Sequence, residues 1–114
     1  MLLDVLHSKI HRATLTGADL HYEGSISISK DLIVKAGLKP YQKVLVADID
    51  NGNRFETYVI ETDEPNTFCV NGSAARLVHV GDKVIIMAFK YVEEIPDGYE
   101  PIVVLMDENN EVIA

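Results

Sequence analysis

Apolar and polar residues alternate over much of the chain, and this alternation predicts short β-strands. Residues two apart in a strand share one face, so a half-buried strand shows a period of two. The predicted strands are residues 25–29, 44–50, 54–61, 67–70, 83–91 and 102–106. Turn signals separate them at Asn51-Gly52, Glu64-Pro65-Asn66, Pro96-Asp97-Gly98 and Asn109-Asn110. Six or seven such strands in 114 residues indicate a small β-barrel.

The first stretch, residues 2–16, fits two different elements. A long strand is favoured, because the alternation there places Lys9 and His11 on one face. An amphipathic helix that buries the leucine and isoleucine side chains of the same stretch is the alternative. Either element is expected to break at Gly17-Ala18-Asp19.

Two short helices are predicted, and each begins at a serine that can cap it. Ser29 can cap a helix over residues 30–36, with Gly37 at its C-terminal stop. Ser73 can cap a single helical turn that ends at Leu77. The predicted fold class is therefore mainly β, with two short helices.

The composition fits one soluble domain and argues against several classes of protein. A chain of 114 residues suits one compact domain, and no signal peptide or membrane span is expected in it. Residues 61–114 carry the whole net charge of −8. An acidic chain without a basic stripe is a poor candidate for binding nucleic acid or an anionic membrane. The single cysteine, Cys69, is predicted to be a buried strand residue, and the lack of any internal disulfide fits a reducing cytoplasm.

Two groups near the N-terminus could carry chemistry, and each also has an ordinary interpretation. His7 and His11 have metal spacing only on a helix, and no acidic residue lies between them, so zinc binding is a weak hypothesis. Gly24-Ser25 fits an ordinary turn. A serine hydroxyl that follows a glycine can, however, attack the preceding carbonyl, because no Cβ is in the way.

A second set of candidates lies around the later turns. Arg54 follows a hairpin tip, where a solvated arginine is the usual case and a carboxylate clamp is the functional one. Tyr58 shares a strand face with Arg54, whereas Thr57 points to the other face, and a tyrosine in such a place usually packs. Asn71-Gly72 fits a turn, although backbone N–H groups at a helix start can also bind anions.

Taken together, four segments resemble the aspartate α-decarboxylase family. They lie in the family's order and at matching spacing over residues 1–90, and the block around Gly24-Ser25 is highly specific. Ser73 departs from the family pattern, where alanine is common, and the C-terminal residues diverge. The segments are Lys9-x-His11-Arg12, Asp19-Leu20-His21-Tyr22-Glu23-Gly24-Ser25, Asn51-Gly52-x-Arg54-Phe55-x-Thr57-Tyr58, and Val70-Asn71-Gly72-x-Ala74-Ala75 followed by Val80-Gly81-Asp82.

The resemblance implies a small double-psi β-barrel that cleaves itself. In the family, the serine that matches Ser25 attacks the carbonyl of the residue that matches Gly24, and the amide becomes an ester. Elimination leaves dehydroalanine, which hydrolyses to a pyruvoyl group. The single domain 1–114 would thus become a short chain, residues 1–24, and a pyruvoyl chain, residues 25–114. Thr57 matches the family position that assists this step.

The resemblance also implies decarboxylation of L-aspartate to β-alanine and CO2, for pantothenate and coenzyme A biosynthesis. The pyruvoyl carbonyl made from Ser25 would form a Schiff base with aspartate and accept electrons, without a metal or pyridoxal phosphate. Tyr58 matches the proton donor. The residues expected to bind substrate are Lys9, Arg54, Thr57, Gly72, Ser73 and Ala74, and those expected to support the site are His11, Tyr22 and Asn71.

The family further implies a cytoplasmic homotetramer with sites between subunits. Thr57 and Tyr58 face opposite sides of a strand, so one site can use both only at an edge. The sequence does not decide how far self-cleavage goes, or whether a maturation factor is needed. Two alternatives stay open: a β-barrel binding module that keeps Gly24-Ser25 as a turn, and an N-terminal nucleophile hydrolase that exposes serine.

Overall fold

Eight strands and two short helices make up the structure, a computed structural model that describes residues 1–114. The strands are β1 (Leu3–Thr14), β2 (Gly17–Asp19), β3 (Ser25–Ser29), β4 (Lys43–Asp48), β5 (Arg54–Thr62), β6 (Phe68–Asn71), β7 (Lys83–Val92) and β8 (Ile102–Leu105). The helices are α1 (Lys30–Lys35) and a 3₁₀ helix (Gly72–Leu77). Neither helix has the length and apolar character needed to cross a membrane.

The sheet closes into a ring because β1 and β2 form one continuous segment. The hydrogen-bonded order is β2-β6-β3-β5-β4-β7-β1-β8, so β1 lies beside β7 and β2 lies beside β6. Between them, Leu15 N donates to Asp82 O at 2.9 Å and Thr16 N donates to Phe68 O at 2.8 Å. The N-terminal segment therefore joins the two edges of the sheet into a barrel.

Parallel and antiparallel pairs are mixed around this barrel. The pairs β3–β5 and β2–β6 are parallel, whereas β3–β6, β4–β5, β4–β7 and β1–β7 are antiparallel. β8 adds a parallel strand on the free side of β1. Strands account for 48% of the residues, and the predicted mainly β class with two short helices is confirmed.

Apolar side chains from alternate strand positions fill the barrel. One row of paired residues runs across β1, β7, β4 and β5, and consists of Ile10, Ile86, Val46 and Phe55. The first three are at most 1% exposed, and Phe55 packs against them from a partly buried position. Burial of one strand face fixes the register, because a slip of one residue would turn this row to solvent.

The N-terminal stretch is a strand, so the favoured prediction is confirmed and the helix alternative is wrong. A bulge interrupts its pairing between His11 and Ala13, where Arg12 has a φ of 71°. The predicted break at Gly17-Ala18-Asp19 is also wrong. Those residues form β2, because their backbone pairs in parallel with β6.

Both predicted serine caps are wrong, although both helices are present. Ser29 stands at the N-cap of α1 without a cap bond. Its hydroxyl instead donates to Glu64 O and accepts from Thr67 N, at 2.7 Å each. Ser73 lies inside the 3₁₀ helix, whose N-cap is Asn71. Contacts between distant segments therefore replace the local caps that the sequence suggests.

Candidate active site

The Ser25 hydroxyl is buried at the start of β3. The residue is 1% exposed, and its Oγ donates to Glu23 O at 3.2 Å. The preceding residue, Gly24, is exposed, and a Cβ there would meet open space. The peptide bond between Gly24 and Ser25 therefore connects an exposed loop, residues 20–24, to a buried strand.

Asn71 holds the Ser25 hydroxyl from the neighbouring strand. It is 3% exposed and lies directly opposite Ser25 in the antiparallel β3–β6 pair. Its Nδ2 donates to Ser25 Oγ and to Ser27 Oγ, at 3.0 Å each. Its Oδ1 accepts from Cys69 Sγ at 3.3 Å. Three side chains thus fix the orientation of one amide, which in turn places the Ser25 oxygen.

Gly72 brings the 3₁₀ helix against the 20–24 loop. Its φ of +80° is a conformation that L side chains rarely adopt. A Cβ on Gly72 would lie 2.6 Å from Gly24 Cα, 2.8 Å from Gly24 N and 3.3 Å from Tyr22 O. The lack of a side chain at this position therefore permits the close approach of the two backbones.

Tyr58 lies at the level of Ser25 in the strand register. β3 and β5 are parallel, with Ile26 opposite Val59, so Ser25 and Tyr58 each precede this pair by one residue. Tyr58 is half-buried, and so is Thr57. The two side chains point to opposite faces of β5, as predicted, because they are adjacent in a strand.

Lys9 and His11 lie on β1, and Arg54 lies at the start of β5, four residues before Tyr58. One row of paired residues runs from His11 through β7 and β4 to Arg54. At about 4.8 Å per neighbouring strand, the two backbones are about 14 Å apart along the sheet. Arg54 is exposed, Lys9 is half-buried, and neither makes an ion pair within the chain. Within one chain, β7 and β4 therefore separate Lys9 and His11 from Arg54.

The remaining predicted residues lie around the 20–24 loop. Tyr22 is 54% exposed, Ser73 is exposed, and Ala74 packs against the core. The structure thus divides the predicted site into two groups. The residues at the loop and its neighbours are Tyr22, Gly24, Ser25, Tyr58, Asn71, Gly72, Ser73 and Ala74. Lys9, His11 and Arg54 form the second group, and Thr57, on the face of β5 opposite to Tyr58, belongs to neither.

Two titratable groups of this region have shifted pKa values. Burial lowers the pKa of the His11 imidazole, and the charges of Lys9 and Arg12 lower it further. The His11 Nδ1 is buried without a hydrogen-bond partner. Burial raises the pKa of the Cys69 thiol, with the charge of Asp19 as the next cause. The thiol is therefore held in the protonated form that can donate to Asn71.

Ser27 and Cys69 are the site residues that sequence reasoning missed. Cys69 is half-buried rather than buried as predicted, and its thiol has a polar partner in Asn71. A period of two places residues 25 and 27 on one face and residues 69 and 71 on one face. That signal was present in the sequence, but it becomes informative only once β3 and β6 are known to pair.

Comparison with known proteins gives one consistent family. A family model described as "Aspartate decarboxylase" matches residues 1–113. A protein of Leptospira biflexa is 51% identical over 113 residues, which cover 96% of each chain. A protein of Maricaulis maris is 50% identical over 116 residues, covering 100% of this chain and 96% of its own. Both relatives are named "Aspartate 1-decarboxylase".

Solved structures give weaker likenesses. A rationally designed protein, mkDPBB_sym_86, is 18% identical, covers 68% of this chain and 91% of its own, and has a TM-score of 0.48. A second design, mkDPBB_sym1, is 21% identical with coverages of 74% and 96%, and a TM-score of 0.47. Scores this low add nothing to the description of the fold or the site.

Proposed function

The chain belongs to the aspartate decarboxylase family, and from that premise we propose that it converts L-aspartate into β-alanine and CO2. It would thereby supply pantothenate and coenzyme A biosynthesis. One observation carries the proposal: the buried Ser25 hydroxyl is held by Asn71 directly after the exposed Gly24. A serine so placed can be converted into the reactive group of the enzyme.

The proposed first step is a cut between Gly24 and Ser25. Ser25 Oγ attacks the Gly24 carbonyl carbon, and the acyl group moves from nitrogen to oxygen. Elimination then breaks the ester, leaving a carboxyl group on residues 1–24 and dehydroalanine at residue 25. In the last step, hydrolysis of dehydroalanine consumes water, releases ammonia and leaves a pyruvoyl group at residue 25. The Asn71 amide supports this reading, because it fixes the attacking oxygen while the 20–24 loop remains exposed.

The surroundings of residue 25 fit a carbonyl group. The Asn71 Nδ2 already donates to the oxygen at this position, and an amide N–H is a suitable donor to a carbonyl oxygen. A pyruvoyl carbonyl at this position would supply the electrophile that condenses with the substrate amine and the acceptor for the electrons released with CO2. Tyr58, at the level of Ser25, would donate the proton that the substrate carbon then needs. This chemistry requires neither a metal ion nor pyridoxal phosphate.

Arg54 and Lys9 would bind the substrate carboxylate in a site completed by a second copy of the chain. Within one chain they lie on β5 and β1, with β4 and β7 between them. The outer face of these strands carries exposed apolar and aromatic side chains, among them Phe89 at 41% and Tyr91 at 70% exposure. Such a face suits contact with another subunit. We therefore propose a cytoplasmic homotetramer, consistent with the unpaired Cys69.

Mass spectrometry under denaturing conditions tests the proposed cut. After warm incubation, the purified protein should contain chains 1–24 and 25–114, with masses that add up to the full chain plus water minus ammonia. Ser25→Ala is the matched control, and it should stay intact and produce no β-alanine. A wild-type chain that stays intact while producing β-alanine would contradict the proposed maturation.

Borohydride trapping with L-aspartate distinguishes the proposal from an N-terminal nucleophile hydrolase. A carbonyl at residue 25 should give a stable adduct on the longer chain, whereas an N-terminal serine offers no carbonyl and gives none. A barrel that only binds a ligand should show neither the cut nor the adduct. Formation of the cut without an adduct would therefore favour the hydrolase.

Two substitutions test the assigned roles separately. Tyr58→Phe should leave the cut intact and lower turnover, because only the proton donor is lost. Arg54→Ala should lower kcat/KM for aspartate about tenfold to a hundredfold, since a hydrogen bond to a charged group contributes about 1.5–3 kcal/mol. Unchanged activity in Arg54→Ala would exclude the carboxylate clamp, and failure of Tyr58→Phe to mature would assign Tyr58 to maturation.

A further inference from the structure

Three aspartates meet at the turn of the β4–β5 hairpin. Asp48, Asp50 and Asp82 each offer one carboxylate oxygen, and these oxygens lie within 4.8 Å of one another. Asp48 ends β4, Asp50 lies in the turn after it, and Asp82 precedes β7. Asp48 is 2% exposed, Asp82 is half-buried and Asp50 is exposed, so the cluster reaches from the barrel to solvent.

Backbone N–H groups hold one oxygen of each carboxylate. Asp48 Oδ1 accepts from the N–H groups of Asp50 and Asn51, at 2.9 and 3.3 Å. Asp50 Oδ2 accepts from Lys83 N at 2.8 Å, which folds this exposed side chain back over the barrel. Asp82 Oδ2 accepts from His79 N at 2.9 Å. The three side chains are therefore fixed in place, and each keeps a second oxygen for another partner.

The second oxygen of Asp48 has another carboxyl group beside it and no donor group of the chain. Asp48 Oδ2 is buried and accepts no hydrogen bond. The nearest cation in sequence, the Lys83 ammonium, donates instead to Thr14 Oγ1 at 2.8 Å. Neither of the two ion pairs of the chain involves this cluster. A buried carboxylate oxygen without a partner costs free energy, so a ligand that binds it would stabilise the fold.

We propose that Asp48, Asp50 and Asp82 together bind one hard divalent cation, Mg²⁺ or Ca²⁺. Both ions prefer carboxylate oxygens, at about 2.0–2.1 Å for Mg²⁺ and about 2.3–2.6 Å for Ca²⁺. Oxygens up to 4.8 Å apart can all contact one Ca²⁺ ion, whereas Mg²⁺ requires oxygens within about 4.2 Å of one another, so the carboxylates would have to draw closer around Mg²⁺. Water would complete the coordination on the exposed side, at Asp50.

A proton shared between two carboxyl groups is the competing explanation. Burial raises the pKa of Asp48 to about 6, and a hydrogen bond between the Asp48 and Asp82 carboxyl groups is the second cause. The same hydrogen bond lowers the pKa of Asp82. A shared proton can join Asp48 to Asp82, but it does not involve the Asp50 carboxylate, which Lys83 N holds beside them. A divalent cation would contact one oxygen of each of the three carboxylates.

The cation would brace the hairpin that leads to Arg54. Asp48 N donates to Asn53 O at 2.8 Å, so the residue that closes the turn is also the buried ligand. Binding would tie this turn to the start of β7 through Asp82. The cation takes no part in the proposed decarboxylation. The Ser25→Ala chain should therefore bind the ion as tightly as the wild type does.

Isothermal titration calorimetry of the EDTA-treated full chain, at constant ionic strength, tests the proposal with MgCl2 and CaCl2 in turn. One ion per chain should bind saturably, with a dissociation constant of about 10⁻⁵ to 10⁻³ M for the preferred ion. Asp50→Asn removes an exposed ligand and should weaken binding about tenfold or more. Glu94→Gln removes the same charge at an exposed position outside the cluster and should bind like the wild type.

The results that overturn the proposal are equally specific. If neither Mg²⁺ nor Ca²⁺ binds saturably to the wild type, the site is excluded. It is also excluded if Asp48→Asn and Asp50→Asn each bind the ion as tightly as the wild type does. A higher melting temperature of Asp48→Asn in EDTA, together with no ion binding by the wild type, would assign the cluster to the shared proton. Binding lost in both variants and kept in Glu94→Gln supports the cation site.

Discussion

Replacing Gly72 by alanine would add one methyl group where two backbones already touch. The new Cβ would lie 2.6 Å from Gly24 Cα, whereas ordinary contacts begin at 3.4 Å. The 20–24 loop or the 3₁₀ helix must therefore move by about 0.8 Å, and overpacking of this kind costs about 1–3 kcal/mol. The φ of +80° adds about 1–2 kcal/mol, because an L side chain is strained there.

Gly98→Ala separates the two contributions. Gly98 has a φ of +76°, but a Cβ there would meet nothing within 4 Å. It should therefore lose only the conformational part, about 1–2 kcal/mol. Both variants should carry Ser25→Ala, so that no cut occurs, and should be unfolded in urea at equal protein concentration. Gly72→Ala should then be less stable than Gly98→Ala by about 1–3 kcal/mol.

The same pair of variants, with Ser25 restored, tests the link to self-cleavage. A displacement near 1 Å between reacting groups costs about a hundredfold in rate, so Gly72→Ala should slow the cut about tenfold to a hundredfold. Gly98→Ala should leave the rate unchanged. Equal stability and equal cleavage rates in the two variants would refute the view that Gly72 positions the 20–24 loop.

Three further predictions concern single side chains. Cys69→Ala should slow self-cleavage about threefold to tenfold in a mass-spectrometric time course, because the Asn71 Oδ1 loses the thiol that donates to it. Cys69→Ser should restore the rate. Equal rates in Cys69→Ala and Cys69→Ser would contradict the view that the thiol orients Asn71. Lys9→Ala should raise the His11 pKa toward 6.5 in an NMR titration, since a like charge is removed. An unchanged pKa would show that the Lys9 charge does not contribute to the shift. Asn110→Ala should lower the free energy of unfolding in urea by about 2–4 kcal/mol, because the buried Asn110 amide makes three hydrogen bonds to the backbone. A loss below about 1 kcal/mol would mean that water replaces these hydrogen bonds in the variant.

Strand positions could be predicted from the sequence, because both signals involved are local. A period of two marks residues 83–91, and the structure has a strand at Lys83–Val92. The turn signal at Asn51-Gly52 likewise lies between β4 and β5. The candidate residues around Ser25 came from a family resemblance rather than from periodicity. Their chemical roles stay predictions that the experiments above test.

The side-chain contacts that the sequence did not predict join segments that are distant in sequence. Ser29 bonds to a residue 35 positions away rather than to the helix that it precedes. Asp50 reaches the N–H of a residue 33 positions away, so an acidic cluster forms from parts of the chain that look unrelated. Cys69 acquires a polar role only through the strand opposite it. Single-strand patterns carry no information about such partners.

The way the barrel closes has a consequence for the mature protein. β1 and β2, which join the two sheet edges, both lie within residues 1–24. Once the proposed cut is made, the closing strands belong to a separate peptide that only hydrogen bonds and packing retain. Folding must therefore precede the cut, because afterwards assembly becomes a bimolecular reaction that depends on concentration. An unfolded mature enzyme would recover poorly on dilution, so its lifetime would be set by how slowly the short peptide escapes.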